Sequence, residues 1–487
     1  MSRSAGRSQS RYVCQSCGDA FLRWEGQCRS CGAWNTLVET LVREPARTER
    51  ARRPAGMLAG PTTLRGIPEA DEPRMRIGIG ELDRVLGGGI VPGSLVLLGG
   101  EPGIGKSTLL LQAAAGLAGA VAGGGGHVLY ASGEESAAQV RLRAARLGLI
   151  DGPAGDSVHV VPERDVARIG EIARAERPSL VVVDSIQTAV VDELDGPAGS
   201  VGQVRESAVR LMELAKGEAI AVIVVGHVTK EGSLAGPKTL EHLVDAVLEL
   251  SGERYASLRL LRVSKNRFGS TDEVGVFEMR EDGMGQVADP ARAFLVEHET
   301  PAPGSVVAPT LEGTRPLMVE VQALVSPTGY GTPARKASGV DPNRLALLVA
   351  VLGRRAGIGL GSHDVYANLA GGLSVAEPAI DLPLALALAS SLRDRPLDAG
   401  TVAIGEVGLL GELRGVAGTE RRLREAARLG FERAIVPRDR RDPNAAAPEG
   451  LEVVAAATLA EAIAIALDRG PRAGRPDRGG EVAVAAR

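Results

Sequence analysis

The sequence predicts an α/β chain of three modules, and three observations carry that prediction. Two C-x2-C pairs open the chain, a strand runs into a glycine-rich loop and an apolar helix near residue 100, and the order of elements changes after about residue 300. A length of 487 residues suits about three domains. The expected divisions are a metal-held ribbon over 1–40, a linker over 41–60, a nucleotide-binding core over 61–295, an α+β module over 300–470 and a disordered tail over 471–487. Hydrophobic residues make up 44% and aromatics only 2%, so the cores must be built from Ala, Val, Leu and Ile. Net charge is −4, from 56 basic and 60 acidic residues, so bulk charge does not mark a nucleic-acid binder, although a local basic surface is allowed. There is no secretory leader pattern and no uncharged run long enough to cross a bilayer, so no membrane partner and a cytoplasmic location are expected. Lysine is rare: Lys106, Lys216, Lys230, Lys238, Lys265 and Lys336 stand among 50 arginines. A position that keeps lysine therefore favours a compact, rotatable ammonium.

The ribbon is expected from "YVCQSCGDAFLRWEGQCRSCGAW". Cys14-x2-Cys17 and Cys28-x2-Cys31 are ten residues apart, and each pair can set two thiolates on one tight turn. Two such turns complete a tetrahedral S4 site for zinc. Two disulfides are the competing reading, which a chain without a secretory leader disfavours. With all four positions filled by Cys14, Cys17, Cys28 and Cys31 the metal would be structural. In comparable peptides such a site supplies on the order of 10–16 kcal/mol of folding free energy. Both tryptophans, Trp24 and Trp34, lie in this segment and are expected to pack it. The Arg-rich run "VREPARTERARRPAG" then reads as a flexible linker.

The core is expected from "SLVLLGGEPGIGKSTLLLQAAAGLA", a buried strand, a G-x4-G-K-S loop and an apolar helix. That context confirms the loop as a phosphate cradle, here Gly100, Glu101, Pro102, Gly103, Ile104, Gly105, Lys106, Ser107 and Thr108. Its backbone N–H groups face ATP phosphates, Lys106 reaches the β/γ-phosphates, and Ser107 ligates Mg²⁺ at the positive end of the helix. Further strands end in polar groups. "HVLYASGEES" ends in Glu134 and Glu135, "LVVVDSI" in Asp184, and "AIAVIVVGHVTKEG" in His227. A carboxylate at the carboxyl edge of such a sheet stands in the ligand crevice. Asp184 is expected to hold Mg²⁺, Glu134 to orient the attacking water with Glu135 as the alternative, and His227 to sense the γ-phosphate.

"GIGELDRVLGGGIVPGSLVLLGGEPGIGKST" resembles the RecA-type ATPase core, and "SKNRFGSTDEVGVFEM" resembles the lysine–x–arginine element of hexameric replicative helicases. In those helicases the pair reaches across a subunit boundary, so the resemblance implies that Lys265 and Arg267 complete a neighbour's site. A "KNRFG" run after such a core and a four-cysteine ribbon resembles the bacterial RadA (Sms) family of DNA-repair proteins, over essentially the whole chain. That resemblance implies a ring, most simply a homohexamer, with a DNA-dependent ATPase. It implies single-stranded and branched DNA as substrates, a role beside the RecA recombinase, translocation on DNA and branch migration of recombination intermediates.

In the third module, "DPNRLALLVAVLGRRAGI" predicts a helix after Asp341, with Pro342 at its first position. The order of elements resembles the proteolytic domain of Lon proteases, which use a serine–lysine dyad. Laid on that pattern, the serine falls on Leu384 and the lysine on Arg422. Leucine has no nucleophilic atom, and arginine stays protonated. Proteolysis is therefore not expected, and Leu384, Leu386 and Leu388 are expected to pack a core. Arg414, Arg421, Arg422, Arg424 and Arg428 leave two readings open: a basic stripe toward phosphates, or a solvated helix face. Rival functions are an ATP-dependent Lon-type protease and a nucleotide-switched scaffold resembling the circadian KaiC ATPases.

Overall fold

The computed structural model describes residues 9–15, 20–42, 63, 65, 74–227, 240–252, 257–295, 300–329, 331–372, 375–438 and 447–467. The chain divides into two compact units, Met1–Val287 and Ala288–Arg487.

The first unit opens with a small sheet of β1 (Gln9–Cys14), β2 (Ala20–Phe21) and β3 (Leu37–Val42) in the order β2-β1-β3. Cys14, Cys28 and Leu37 are buried at its centre, with Tyr12 and Phe21 packed beside them. Trp24 and Trp34 do not pack there. They are 56% and 68% exposed, beside Gly26. So small a sheet has no interior wide enough for an indole, and the cysteine cluster takes the middle.

A nine-stranded sheet follows, with α1 (Gly80–Val85) ahead of it. Its parallel part comprises β4 (Leu95–Gly100), β5 (Val128–Ser132), β6 (Val158–Val161), β7 (Leu180–Asp184), β8 (Ala221–Val225) and β9 (Ala246–Ser251). The antiparallel strands β10 (Leu258–Asn266), β11 (Val274–Arg280) and β12 (Gly283–Gln286) extend it, giving the order β12-β11-β10-β9-β4-β8-β7-β5-β6. The strands are apolar on both faces because helices cover both. Alternate residues divide between the two cores. Val96, Leu98, Val128, Tyr130 and Val182 join Leu109 and Leu117 of α2 (Lys106–Val121). Leu95, Leu97, Leu129, Val181 and Val183 join Ile169 of α5 (Val166–Glu176) and Leu211 of α6 (Val201–Glu218). Between these lie α3 (Ala137–Arg146) and α4 (Pro153–Ser157). Ser136 and Gln139 close a capping box on α3, a feature worth about 1 kcal/mol. The expectation that no run is long enough to cross a membrane fails by length and composition at residues 106–124, of mean hydropathy 1.3, yet Leu109, Leu110, Leu111 and Leu117 of that helix are buried in the core.

Among the described residues, the second unit is a seven-stranded mixed sheet with four α-helices. Its strands are β13 (Ser305–Glu312), β14 (Arg315–Pro327), β15 (Arg335–Ser338), β16 (His363–Leu369), β17 (Thr401–Ala403), β20 (Arg433–Pro437) and β21 (Glu452–Ala456). A separate hairpin pairs β18 (Glu406–Val407) with β19 (Leu413–Arg414). The sheet order is β15-β16-β14-β13-β17-β20-β21. Helix α7 (Pro342–Arg355) starts where Asp341 accepts the N–H of Asn343, with proline in its first turn. Helix α8 (Asp381–Arg393) is the central one: every residue from Asp381 to Ser390, Leu384, Leu386 and Leu388 included, is buried. Helices α9 (Thr419–Arg428) and α10 (Leu459–Leu467) complete the unit.

Candidate nucleotide site

Parallel strands β4, β8, β7 and β5 lie side by side, so their carboxyl ends open on one crevice. The loop Gly100–Ser107 leaves β4, Glu134 follows β5, Asp184 ends β7 and His227 follows β8. Sequence positions spread over more than a hundred residues are thereby gathered at one edge.

Within the loop, glycine is required where the chain turns against its neighbours. Gly100 has φ +155°, and a Cβ there would lie 2.5 Å from the carbonyl oxygen of Leu250. Gly105 has φ +111° and caps the start of α2, and its Cβ would lie 2.5 Å from the Met279 side chain. Lys106 is 3% exposed, and its Nζ donates to the Gly100 and Glu101 carbonyls, each at 2.9 Å. Burial lowers its pKa, while the carboxylates of Asp184 and Glu134 hold it up. The ammonium thus stands at the loop with two acids facing it, and N–H groups of the loop and of the start of α2 supply the cradle.

Glu134 accepts a hydrogen bond from Ser185 Oγ at 2.6 Å and lies 3.4 Å from His227 Nε2. The histidine contact, helped by Ser185 and by the charge of Lys106 against the opposing effect of burial, lowers its pKa to about 2. Glu135 points elsewhere: its carboxylate pairs with Arg143 at 2.5 Å. Asp184 is buried and accepts from the Tyr130 hydroxyl at 2.7 Å. Three contributors to the site carry no motif that marks them. Ser185 sits next to Asp184, Tyr130 hides in an apolar strand, and buried Arg259 reaches from β10 to the Ile104 carbonyl at 3.2 Å. Only Ser185 had a signal available, its place after a strand-terminal aspartate.

Lys265 and Arg267 lie away from this crevice. Strand β10 is antiparallel to β9, so Leu261 stands level with Leu250, which in turn pairs with Gly100, while Asn266 stands level with Ala246 at the opposite edge. Arg267 lies six positions beyond Leu261, just past the end of β10, roughly 20 Å of extended chain at about 3.3 Å per residue. Lys265 Nζ donates to the carbonyls of Glu241 and Val244, the latter at 2.9 Å. The Arg267 side chain is 54% exposed and its Nη1 lies 3.4 Å from Asp245 Oδ1. Burial and the neighbouring Arg267 charge lower the pKa of Lys265.

In the ribbon, the sulfurs of Cys14, Cys28 and Cys31 lie within 4.8 Å of one another, and Cys17 is outside the described residues. Cys14 Sγ and Cys31 Sγ are 3.6 Å apart. That is far beyond a disulfide bond of about 2.05 Å, and close to the edge of a tetrahedron with zinc–sulfur bonds of about 2.3 Å.

The dyad positions of the third module hold a buried leucine and a buried cation. Leu384 is 1% exposed and Arg422 is 2% exposed, with Nη1 and Nη2 on the two carboxylate oxygens of Glu377 at 2.8 and 2.5 Å. Arg422 is therefore no part of a basic stripe. The others are engaged as well: Arg414 and Arg424 pair with Glu412 and Glu420, Arg428 with Glu425 and Asp289, and Arg421 donates to the Thr314 carbonyl. Four of the five are thus paired with carboxylates, and Arg421 with a backbone carbonyl.

Comparison with known proteins agrees with this layout. Residues 78–233 match the family model described as AAA domain, residues 12–39 the one described as rubredoxin metal binding domain, and residues 350–440 the one described as subunit ChlI of Mg-chelatase. The DNA repair protein RadA of Bacillus subtilis (strain 168) is 48% identical over 95% of this chain and 99% of its own length. The protein of that name from Pseudomonas aeruginosa is 48% identical over 94% of this chain and 98% of its own. Among solved structures, the RadB recombinase is 25% identical, covering 44% of this chain and 99% of its own with a TM-score of 0.35. The ribbon carries structural zinc, and the core takes ATP with Mg²⁺. The chain belongs to the RadA family of DNA-repair proteins.

Proposed function

We propose that this ATPase is DNA-dependent and works in recombinational repair as a ring, most simply a homohexamer, that translocates on DNA and drives branch migration. The observation that carries the ring is the placement of Lys265 and Arg267. They stand at the sheet edge opposite their own phosphate loop, where they cannot touch the nucleotide they flank in sequence. A neighbour's crevice is the place where an exposed arginine and a pre-set lysine act, the arginine stabilising charge as the γ-phosphoryl leaves. Hydrolysis then depends on assembly, and DNA in the ring couples to it.

Each role follows from position. Lys106 and the loop from Gly100 to Thr108 hold the phosphates. Ser107 and Asp184 hold Mg²⁺, whose charge offsets that of the β- and γ-oxygens. Glu134, ionised and pointed at Ser185 and His227, orients water, while His227, on the same oxygen, is placed to feel the γ-phosphate. The pairing of Glu135 with Arg143 supports Glu134 rather than Glu135 for that task. Single-stranded and branched DNA and the RecA recombinase are the partners, and the third module, without nucleophile or base, assembles the ring rather than cutting peptides. The test is ATP turnover with and without single-stranded DNA, together with the mass of the assembly. A DNA-stimulated rate from a multimer supports the proposal. A monomer with a rate unmoved by DNA favours the nucleotide-switched scaffold, and casein degradation would restore the protease.

A further inference from the structure

A second group of metal-ligand side chains lies in the first unit, at the amino end of the strands and so opposite the nucleotide crevice. His127 immediately precedes β5, His159 is the second residue of the edge strand β6, and Glu176 ends α5. Parallel pairing of β5 with β6, with Leu129 level with His159, brings the two histidines together. Leu129 belongs to the core shared with α5, so that helix ends beside them. The imidazole rings stack at 4.4 Å with 28° between their planes.

Both rings converge on one carboxylate oxygen. His159 Nδ1 is 3.0 Å and His127 Nε2 is 3.3 Å from Glu176 Oε2. His127 Nε2 is buried and faces only that oxygen, at a distance and angle outside good hydrogen-bond geometry, while the contacts of His159 and His127 hold the Glu176 carboxyl below its ordinary pKa. The two nitrogen–oxygen spacings, 3.0 and 3.3 Å, are close to the edge of about 3.3 Å in a tetrahedron with metal–ligand bonds of about 2.0–2.1 Å, and all three ligand atoms lie within 4.8 Å of one another. The His159 and Glu176 side chains are 47% and 41% exposed, so the fourth corner faces water and an ion has a way in. Two imidazoles with one carboxylate suit zinc and its transition-metal neighbours rather than Mg²⁺.

We propose that His127, His159 and Glu176 form a second transition-metal site, separate from the cysteine ribbon. The bound ion clips the edge strand β6 to β5 and to the end of α5. An edge strand of only four residues gains most from such a clip, because it is paired on one side alone.

The probe is Co²⁺ added to full-length protein already carrying one zinc per chain in its ribbon. The expected result is one further ion per chain, with the visible bands of cobalt on nitrogen and oxygen and without the ultraviolet charge-transfer band of thiolate–cobalt. Glu176→Gln and His159→Ala, both at exposed positions, should each weaken that second ion at least about tenfold while ribbon zinc stays at one per chain. Hydrogen exchange in residues 158–161 should slow on cobalt addition in the wild type alone. No second ion in the wild type, a thiolate–cobalt band as the only signal, or wild-type affinity in both variants overturns the proposal.

Discussion

Glu377→Ala tests the third module most sharply, because it strands a buried cation. The Arg422 guanidinium is 2% exposed, with Nη1 and Nη2 on the carboxylate of Glu377, Nη1 also on the Pro309 carbonyl at 2.8 Å and Nε on the Ala417 carbonyl at 3.1 Å. Glu377 also accepts the N–H of Leu311 at 3.0 Å. Removing the carboxylate leaves a charge without its counter-ion and an amide without its acceptor. Breaking a buried pair in this way costs about 3–5 kcal/mol, and the 24% exposure of the Glu377 side chain puts the loss toward the lower end of that range. For a unit of this size each kcal/mol moves the midpoint by about 2–4 °C, so a drop on the order of 10 °C is expected. Calorimetry on the full chain resolves it. The core transition rises with ATP and Mg²⁺ by linkage and the second unit's does not, which identifies the latter. Glu377→Leu combined with Arg422→Met should recover part of the loss, since an apolar replacement removes the charge and its need for a partner while the Leu311 N–H stays without its acceptor. A Glu377→Ala midpoint within about 1 °C of wild type would refute the reasoning, because an uncompensated buried guanidinium cannot be that cheap.

Further outcomes follow from the nucleotide site and the ribbon. Lys106→Ala should abolish ATP turnover while leaving the fold intact, and retained turnover would remove the lysine from phosphate binding. Glu134→Gln should lower turnover by on the order of a hundredfold or more as water loses its orienting carboxylate. Its pH behaviour carries a sign. The folded pKa, about 2, lies below the ordinary 4.5, so the stabilisation from its partners is fully present above about pH 4.5 and is lost as pH falls toward 2. The stability gap between wild type and Glu134→Gln should close in that acid window, as acid unfolding curves would show. Chelation should release about one ribbon zinc per chain and erase near-ultraviolet dichroism from the ribbon. The position of the tryptophan emission should barely move, because Trp24 and Trp34 already face water. A large blue or red shift would contradict their exposure.

Some of this was legible in residues alone because backbone geometry dictates it. The phosphate loop must have glycine where φ is positive, and the strand before it must be apolar when helices cover both faces. Asp341 and Pro342 mark a helix start for the same local reasons. What sequence could not carry was the set of contacts made between distant strands. Nothing in "GEES" separates Glu134 from Glu135; only the placement of Ser185, His227 and Arg143 does. The resemblance places Arg422 at the dyad lysine position, but its burial against Glu377 is a contact between positions 45 apart that no spacing announces. The tryptophans misled because burial depends on the room available, and a ribbon centred on cysteines offers almost none. The His127, His159 and Glu176 cluster spans nearly fifty positions and has no spacing rule to announce it.

The central claim is that each nucleotide site is completed by the next subunit. Arg267→Ala and Lys106→Ala each damage one half of that composite site, so each protein alone should be almost inactive, with losses of about 10³–10⁵ for the arginine. Mixed in equal amounts and allowed to exchange subunits, about a quarter of the interfaces join an intact loop to an intact arginine, and DNA-stimulated ATPase should return to roughly that share of wild type. Wild-type turnover by Arg267→Ala in an intact assembly, or a mixture no more active than its separate components, would contradict the claim.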